Sequence, residues 1–297
     1  MTLGQPPAEL AIDEPLVRSL LAEQLPEYAS GNLELAGEGW DNVIYRLNEE
    51  LAVRLPRRAG AAELIQNEQR CLTLLAPRLP LPVPVPVHIG RASDVYPWPW
   101  SICRWLEGQR AAAAPPRDLS ETAETLAAFV SALHTPAPGD APLNAARGGP
   151  QSERRDRITQ RIIDVGATGR LLGYRAADLV ALWVELAAAP EWNGPPLWLH
   201  GDLHGSNILT HAGRVSAVID FGDITSGDPA TDLAVDWIIL GEASRARFQR
   251  LVMHDDATWT RARAWALSFA VFYLDAAATD AVIGRMGERT LAQVLAS

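Results

Sequence analysis

The residues best suited to chemistry lie in His200-Gly-Asp-Leu-His-Gly-Ser-Asn207, and Asp220-Phe-Gly follows thirteen residues after Asn207. An aspartate, an asparagine five residues later and a second aspartate beyond a hairpin supply one proton acceptor and two hard oxygen ligands. In phosphoryl transfer an aspartate accepts the proton of the attacking hydroxyl, and the two oxygen ligands hold magnesium against the β- and γ-phosphates. The spacing is therefore typical of a phosphoryl-transfer site.

Two other interpretations of the first motif are open on the residues alone. The segment could be an ordinary polar turn, although the second motif at a matching distance disfavours this. Alternatively, His200, Asp202 and His204 alternate along the chain and could converge on zinc. No Cys, His or Glu elsewhere has a spacing that would complete such a site.

The pair of motifs resembles the aminoglycoside phosphotransferase family, a branch of the protein-kinase-like fold that includes macrolide phosphotransferases and related small-molecule kinases. In that family the catalytic loop typically begins His-Gly-Asp, where protein kinases have His-Arg-Asp. The resemblance extends over nearly the whole chain. It implies that Asp202 is the catalytic base and that Asn207 and Asp220 bind Mg²⁺.

The same resemblance implies supporting roles for neighbouring residues. His200 would orient the loop, and His204 would face the phosphate region. In Gly227-Asp-Pro-Ala-Thr-Asp232 the first aspartate would be a helix N-cap, and Asp232 would cap a helix and brace the catalytic loop. Both aspartates could also be helix caps and nothing more.

The N-terminal half is expected to bind the nucleotide. Gly37, Gly39 and Asn42 belong to a short loop between two predicted strands, which by resemblance would lie over the phosphates. The chain has no lysine, so the strand lysine of kinases is replaced by Arg54, which stays cationic and can make a forked contact to phosphate. Glu68 would hold Arg54, unless it is simply a solvated glutamate on an amphipathic helix.

Residues 103–108 resemble the linker against which the nucleotide base lies in such enzymes. There the backbone at Arg104 and Leu106 would hydrogen-bond the base, with Cys103 behind it. The resemblance therefore implies ATP or GTP as phosphate donor and Mg²⁺ as metal.

Hydrophobic periodicity predicts the elements that would position these residues. Residues 33–55 alternate apolar and polar side chains in three segments, which predicts three antiparallel strands. We expect an α+β, protein-kinase-like bilobal fold, with an antiparallel-sheet N-lobe over 1–106 and a mainly helical C-lobe over 107–297. Helices are predicted at 12–28, 59–76, 118–134, 153–166, 175–189 and from 229 to the end.

The amino-acid composition limits the classes of partner that the protein is expected to bind. The 297 residues include 26 basic and 36 acidic side chains, a formal charge of −10, which disfavours nucleic-acid binding. No apolar run has the length of a membrane span, and the first residues lack the pattern of a signal peptide. We expect a cytoplasmic monomer or homodimer with neither nucleic-acid nor membrane partners.

The expected activity is transfer of the γ-phosphate to a hydroxyl of an antibiotic-like acceptor, first of all an aminoglycoside, as in antibiotic resistance. Candidate residues for binding such a polycation are Asp223, Asp236 and Glu242. A macrolide, or a metabolite such as homoserine, choline or a sugar, is the alternative, because tryptophans are frequent in the C-terminal part. A catalytically silent nucleotide-binding protein is the alternative of another class, because the strand lysine is missing.

Overall fold

The computed structural model describes residues 6–297, and it confirms the predicted division into a sheet-rich N-terminal part and a helical C-terminal part. Two small sheets lie within the helical part and carry the two sequence motifs. The strands are β1 (Leu33–Glu38), β2 (Asn42–Leu47), β3 (Leu51–Pro56), β4 (Pro86–Gly90), β5 (Trp100–Arg104), β6 (Gln109–Arg110), β7 (Leu197–Leu199), β8 (Ile208–His211), β9 (Arg214–Val218) and β10 (Thr225–Gly227).

The N-terminal sheet has five antiparallel strands in the order β1-β2-β3-β5-β4. Along β2 every second side chain is buried, namely Val43, Tyr45 and Leu47, and these pack on a helix that supplies Val17. β4 begins at Pro86 on the edge of the sheet, where a missing backbone N–H breaks no central ladder. The sequence indicated only extended backbone there.

The helices follow the predicted segments, with ends that differ by a few residues. Short 3₁₀ turns extend some of them, as at Pro26–Tyr28 and Ser152–Arg154. The helices are α1 (Glu14–Gln24), α2 (Ala59–Leu75), α3 (Leu119–Leu133), α4 (Arg155–Ala167), α5 (Ala176–Leu186), α6 (Ala230–Leu233), α7 (Val235–Ile239), α8 (Glu242–Val252), α9 (Asp256–Ala276) and α10 (Ala281–Leu295).

Side-chain caps explain where several helices begin. Asp118 accepts hydrogen bonds from the backbone N–H groups of Ser120 and Glu121 at the start of α3. The Glu121 side chain does not complete a capping box, because it pairs with Arg214 instead. Long-range pairing therefore overrides part of a local signal.

The core of the C-terminal part is built around α9, a helix of 21 residues that packs on α4, α5, α6 and α10. Trp265 and Leu267 in its middle have no exposed surface. β7 pairs with β10, and β8 pairs with both β6 and β9. The loops that hold residues 200–207 and Asp220 directly follow two of these short strands, β7 and β9. Packing in the helical core therefore fixes those loops.

The described part of the chain, residues 6–297, contains no helix whose length and apolar content would let it cross a membrane. Its cysteines, Cys71 and Cys103, are both buried and unpaired.

Candidate active site

A cleft of about 250 Å³ lies between the N-terminal sheet and the helical part. Its lining includes Asn207 and Asp220 from the helical part and Arg54 from the sheet. The remaining lining residues are Ala36, Gly37, Gly39, Trp40, Asp41, Asn42, Ile44, Ala52, Pro84, Cys103, Arg104, Trp105, Leu106, Gly108, Arg110, Ser206, Leu209 and Ile219.

The loop after β7 is held from below by Asp232, which lies inside α6. Its carboxylate accepts from the backbone N–H of His200 at 2.8 Å and from that of Gly201 at 2.9 Å. Gly201 has φ +85°, and a Cβ there would lie 2.2 Å from the Asp223 carbonyl oxygen. A larger residue at this position therefore clashes with backbone, which explains glycine between His200 and Asp202.

Asp202 is held by neighbours on both carboxylate oxygens. Its Oδ1 accepts from Arg147 Nη2 at 2.9 Å, and its Oδ2 lies 3.0 Å from His204 Nε2. Burial alone would raise the pKa of Asp202, but the charges of His204 and Arg147 outweigh it and hold this pKa well below its usual value. Asp202 is therefore an ionised carboxylate that stays partly exposed, at 23 % of its side chain.

Asn207 and Asp220 present oxygen atoms at the same cleft. The Asn207 amide nitrogen donates to the Asp202 carbonyl at 2.9 Å, so its Oδ1 is left without a hydrogen bond from any residue of 6–297. Asp220 adopts the left-handed backbone conformation, with φ 63°, and its side chain is 53 % exposed. One amide oxygen and one exposed carboxylate are a donor set that suits magnesium.

The predicted partners Arg54 and Glu68 form a buried ion pair. The second Glu68 oxygen accepts from the Phe221 backbone N–H at 3.0 Å, so the pair also fastens α2 to the residue after Asp220. Burial would lower the pKa of Arg54, but the carboxylate of Glu68 outweighs it and raises this pKa. Arg54 Nη2 lies 3.9 Å from Asp220 Oδ1, which places one guanidinium between two carboxylates.

The glycine loop is fastened by two arginines that follow β3. Arg57 donates to the Gly39 carbonyl at 3.0 Å, and Arg58 pairs with Asp41. Neither Gly37 nor Gly39 needs a positive φ, and a Cβ on Gly37 would meet no atom within 4 Å. The absent side chains here leave open space above the cleft, which is where phosphates would need it.

The linker after β5 forms one side of the cleft, with Arg104 and Leu106 on its surface. The Trp105 backbone N–H donates to the Glu50 carbonyl at 2.6 Å, which fixes this segment against the sheet. Apolar side chains lie on both faces of the cleft here, from the sheet and from the helical part. They are Ile44, Ala52, Cys103, Leu209 and Ile219.

The three predicted acceptor-binding carboxylates have different surroundings. Asp223 lies beside Asp202 and is 28 % exposed, but it pairs with Arg147 at 3.3 Å and accepts from Asn144 at 2.7 Å. Asp236 is contradicted as a substrate residue, because it has no exposed surface and accepts from Gln249 at 2.8 Å. Glu242 is also placed elsewhere: it begins α8, which packs on α3, and it does not line the cleft.

Arg147 and Asn144 were not predicted. Both belong to the 135–151 segment, which the sequence indicated only as a loop rich in proline, glycine and alanine. Two contacts fasten this segment to β10: Asn144 N–H donates to Thr225 Oγ1 at 3.0 Å, and Ser226 N–H donates to the Pro142 carbonyl at 3.1 Å. Its only signal was one arginine before two glycines, which does not identify the cavity that the arginine faces.

The zinc interpretation is contradicted. His200 Nε2 forms a hydrogen bond with the Ile219 carbonyl at 3.0 Å, whereas His204 Nε2 lies 3.0 Å from Asp202 Oδ2. The two rings therefore have separate partners. Within residues 6–297 no three His, Cys, Asp or Glu side chains come together as a metal-binding group.

Comparison with known proteins defines the class to which this fold and cleft belong. The model of the phosphotransferase enzyme family matches residues 32–265. No curated protein matches the chain significantly. Among solved structures, the GDP complex of wild-type aminoglycoside 2'-phosphotransferase-IIIa has a TM-score of 0.71 and 21 % identity, with coverage of 96 % of this chain and 99 % of that one.

A macrolide 2'-phosphotransferase, MphH from Brachybacterium faecium, has a TM-score of 0.64 and 22 % identity, and the match covers 93 % of this chain and 97 % of that one. Because the family model matches most of its length, the chain belongs to the phosphotransferase enzyme family. Membership in that family classes the chain with phosphotransferases, and the predicted kinase-like fold is confirmed.

Proposed function

We propose that this protein transfers the γ-phosphate of ATP or GTP to a hydroxyl of a small molecule, with Asp202 as catalytic base and Asn207 and Asp220 as magnesium ligands. The observation that carries the proposal is that Asn207, Asp220 and Arg54 line one cleft between the two parts of the chain, and that Asp202 adjoins it, with its carbonyl 2.9 Å from the Asn207 amide nitrogen. Structures that match the chain are described as GDP, ADP and ATP complexes, which agrees with a nucleotide donor.

The residues of the chain have separable tasks in this proposal. Arg54, held by Glu68, would contact the nucleotide phosphates, and the backbone at Arg104 and Leu106 would bind the base between the apolar faces of the cleft. Magnesium held by Asn207 and Asp220 would neutralise charge on the β- and γ-phosphates. Each of these tasks positions or neutralises the donor before any bond changes.

Asp202 would orient the acceptor hydroxyl. A new bond forms between the hydroxyl oxygen and the γ-phosphorus as the bond from that phosphorus to the β-bridging oxygen breaks, and the nucleoside diphosphate leaves. The hydroxyl proton passes to Asp202. Because His204 and Arg147 keep this carboxylate ionised, it receives the proton only as the new bond forms.

A second candidate is a nucleotide-binding protein without turnover. The observation that favours it is that both oxygens of Asp202 already have partners, Arg147 on one and His204 on the other. A hydroxyl would therefore have to share an oxygen with a guanidinium or an imidazole. The two candidates differ in one measurable property, acceptor-dependent release of nucleoside diphosphate.

The test is nucleotide consumption with ATP and GTP, magnesium and a panel of hydroxylated acceptors of each charge type. For an acceptor that supports turnover, Asp202→Asn should lower kcat by about 10² to 10⁴-fold, while the nucleotide Kd stays within about twofold. Asp94→Asn is the matched control, because Asp94 is exposed in the loop before β5. Full activity in Asp202→Asn would contradict the assignment, and nucleotide binding without turnover on any acceptor would support the silent form.

A further inference from the structure

Aromatic rings and arginines form a surface that extends from the catalytic loop along α9. Phe269 stacks on Tyr273 with 6.0 Å between ring centroids, and Phe272 meets Tyr273 edge-on at 6.1 Å. Tyr273 in turn contacts the His204 ring at 5.4 Å, so the surface begins beside Asp202. We call this surface the aromatic wall and define it as Trp40, Arg147, Arg161, Phe269, Phe272 and Tyr273.

Both parts of the chain contribute to the aromatic wall. Trp40, from the glycine loop, is 37 % exposed and contacts the Phe272 ring at 6.0 Å. Arg147 lies over the Phe269 ring at 5.2 Å, and Arg161 lies over the Phe272 ring at 5.1 Å. Phe269 and Tyr273 are buried, so the accessible apolar surface of the wall is that of Trp40 and the half-buried Phe272, with an arginine near each end.

The two arginines differ in how far carboxylates neutralise them. Arg147 Nη2 is shared between Asp202 at 2.9 Å and Asp223 at 3.3 Å. Within the described chain Arg161 has no carboxylate within 4.0 Å, and Asp275 and Asp164 act on it only from a greater distance. The free positive charge of the wall therefore lies at Arg161.

Hydrogen-bond donors also exceed acceptors along the wall. Arg147 Nε and the Tyr273 hydroxyl are buried, and no residue of 6–297 accepts a hydrogen bond from either. Behind the wall Arg154 lies over the Trp265 ring at 3.4 Å and also has no carboxylate within 4.0 Å among the described residues. A polycation would add further donors and positive charge beside two arginines, Arg154 and Arg161, that already lack carboxylate partners.

We infer that the aromatic wall binds an acceptor that carries an anionic group, such as a carboxylate, on an aromatic or other flat apolar body, and that Arg161 pairs with that group. This inference deepens the proposed function and rests on it. The apolar body lies against the exposed parts of Trp40 and Phe272, with the reacting hydroxyl directed to Asp202. Arg147 has the complementary task of partnering Asp202 and Asp223, and its one positive charge offsets part of the negative charge that would otherwise attract cations.

Three probes that differ in one substituent test this inference. 3-Phenyllactate, 3-phenyl-1,2-propanediol and 1-amino-3-phenyl-2-propanol share a benzyl group and a secondary hydroxyl, and they carry a carboxylate, a hydroxymethyl and an ammonium group respectively. Their Kd values are measured by ligand-observed NMR on the full-length protein with magnesium and ADP or GDP. We expect the carboxylate to bind at least about tenfold more tightly than the amine, the factor that one charge-assisted contact supplies.

Two variants should change this preference in different ways. Arg161→Gln should weaken 3-phenyllactate about tenfold and leave the amine within about twofold, because it removes the free cation. Arg147→Gln should tighten the amine several-fold, because it leaves Asp202 and Asp223 unneutralised, a gain that misfolding cannot imitate. Arg250→Gln, at an exposed arginine near the end of α8, is the matched control and should keep the wild-type order.

An amine that binds the wild type as tightly as the carboxylate overturns the inference, as does failure of all three probes to bind up to their solubility. Survival of the full preference in Arg161→Gln overturns the role of that residue. Nucleotide binding with magnesium is measured in the same samples. Its absence would overturn the proposed function, whereas its presence with a preference for the amine would overturn this inference alone.

Discussion

The carboxylates on the two sides of the cleft differ in how closely arginines pair with them. On the nucleotide side Arg54 has one close partner, Glu68, and the Asp220 carboxylate stays 3.9 Å away and half exposed. On the acceptor side Arg147 lies within 3.3 Å of both Asp202 and Asp223. The first side therefore keeps a spare oxygen ligand for a cation, whereas on the second each carboxylate already has a guanidinium as its partner.

This contrast bears directly on the acceptor. The resemblance to a known family favoured a polycationic aminoglycoside, with three carboxylates as candidate partners. The structure leaves one of the three proposed carboxylates near Asp202, and that one, Asp223, already has Arg147 as its partner. Carboxylates attract a cationic ligand only where no residue of the protein has neutralised them.

The largest expected effect of breaking the nucleotide side is on stability. Glu68→Gln leaves Arg54 buried without its close countercharge, with only the half-exposed Asp220 carboxylate 3.9 Å away, and we expect the free energy of unfolding to fall by about 3 kcal/mol. Urea titration measures this change. Glu63→Gln, at an exposed position of the same helix, should stay within about 0.5 kcal/mol of wild type. If the two variants were equally stable, the loss of the Glu68 carboxylate would not destabilise the buried Arg54, and the prediction would be wrong.

On the acceptor side, a methyl group at Gly201 should disturb the catalytic loop. Gly201→Ala places a Cβ 2.2 Å from the Asp223 carbonyl oxygen, in addition to the strain of φ +85°. Gly173 has φ +86° and no atom within 4 Å of such a Cβ, so Gly173→Ala isolates the backbone strain. We expect Gly201→Ala to cost about 2 kcal/mol more than Gly173→Ala in urea titration. A matching cost in both variants would rule out the clash.

A third carboxylate extends the comparison to an environment with no close guanidinium. No arginine of the described chain lies within 4.0 Å of Asp236, and burial raises the pKa of this group to about 8, against an ordinary value of 3.8. The folded state therefore keeps a proton that the unfolded chain loses above pH 4. The resulting stabilisation is complete below pH 3.8 and is lost as the pH rises through about 8.

Asp236→Asn removes this dependence. Relative to wild type, the variant should gain up to about 1.4 kcal/mol of stability per pH unit between about pH 5 and pH 7. Urea titrations at three pH values measure the trend. Asp256→Asn, an exposed change at the start of α9, should show no trend relative to wild type, and a flat difference for Asp236→Asn would refute the buried, protonated state.

Local patterns explain which parts of the fold could be predicted. Alternation along β2 and the cap at Asp118 depend on neighbours within a few residues, so the sequence contains them. The paired motifs that hold Asp202, Asn207 and Asp220 are also compact, because one hairpin joins them. The resemblance to a known family added the expectation for Arg54 and Glu68.

Long-range packing explains what could not be predicted. Arg147 reaches Asp202 across 55 positions of sequence, through a loop that β10 holds in place. Asp236 looked available because a sequence does not show that both faces of α7 are covered. The candidate acceptor-binding carboxylates failed for the same reason, because a sequence lists carboxylates without showing their partners.

The most direct test of the central claim is the magnesium dependence of nucleotide binding, measured by calorimetry with ADP and GDP. In wild type, magnesium should tighten the preferred nucleotide by about tenfold or more, and Asp220→Asn should lose most of that gain, whereas Asp94→Asn should keep it. If Asp220→Asn binds the nucleotide with the full magnesium effect, Asp220 and Asn207 do not form the metal site, and the account of this cleft is wrong.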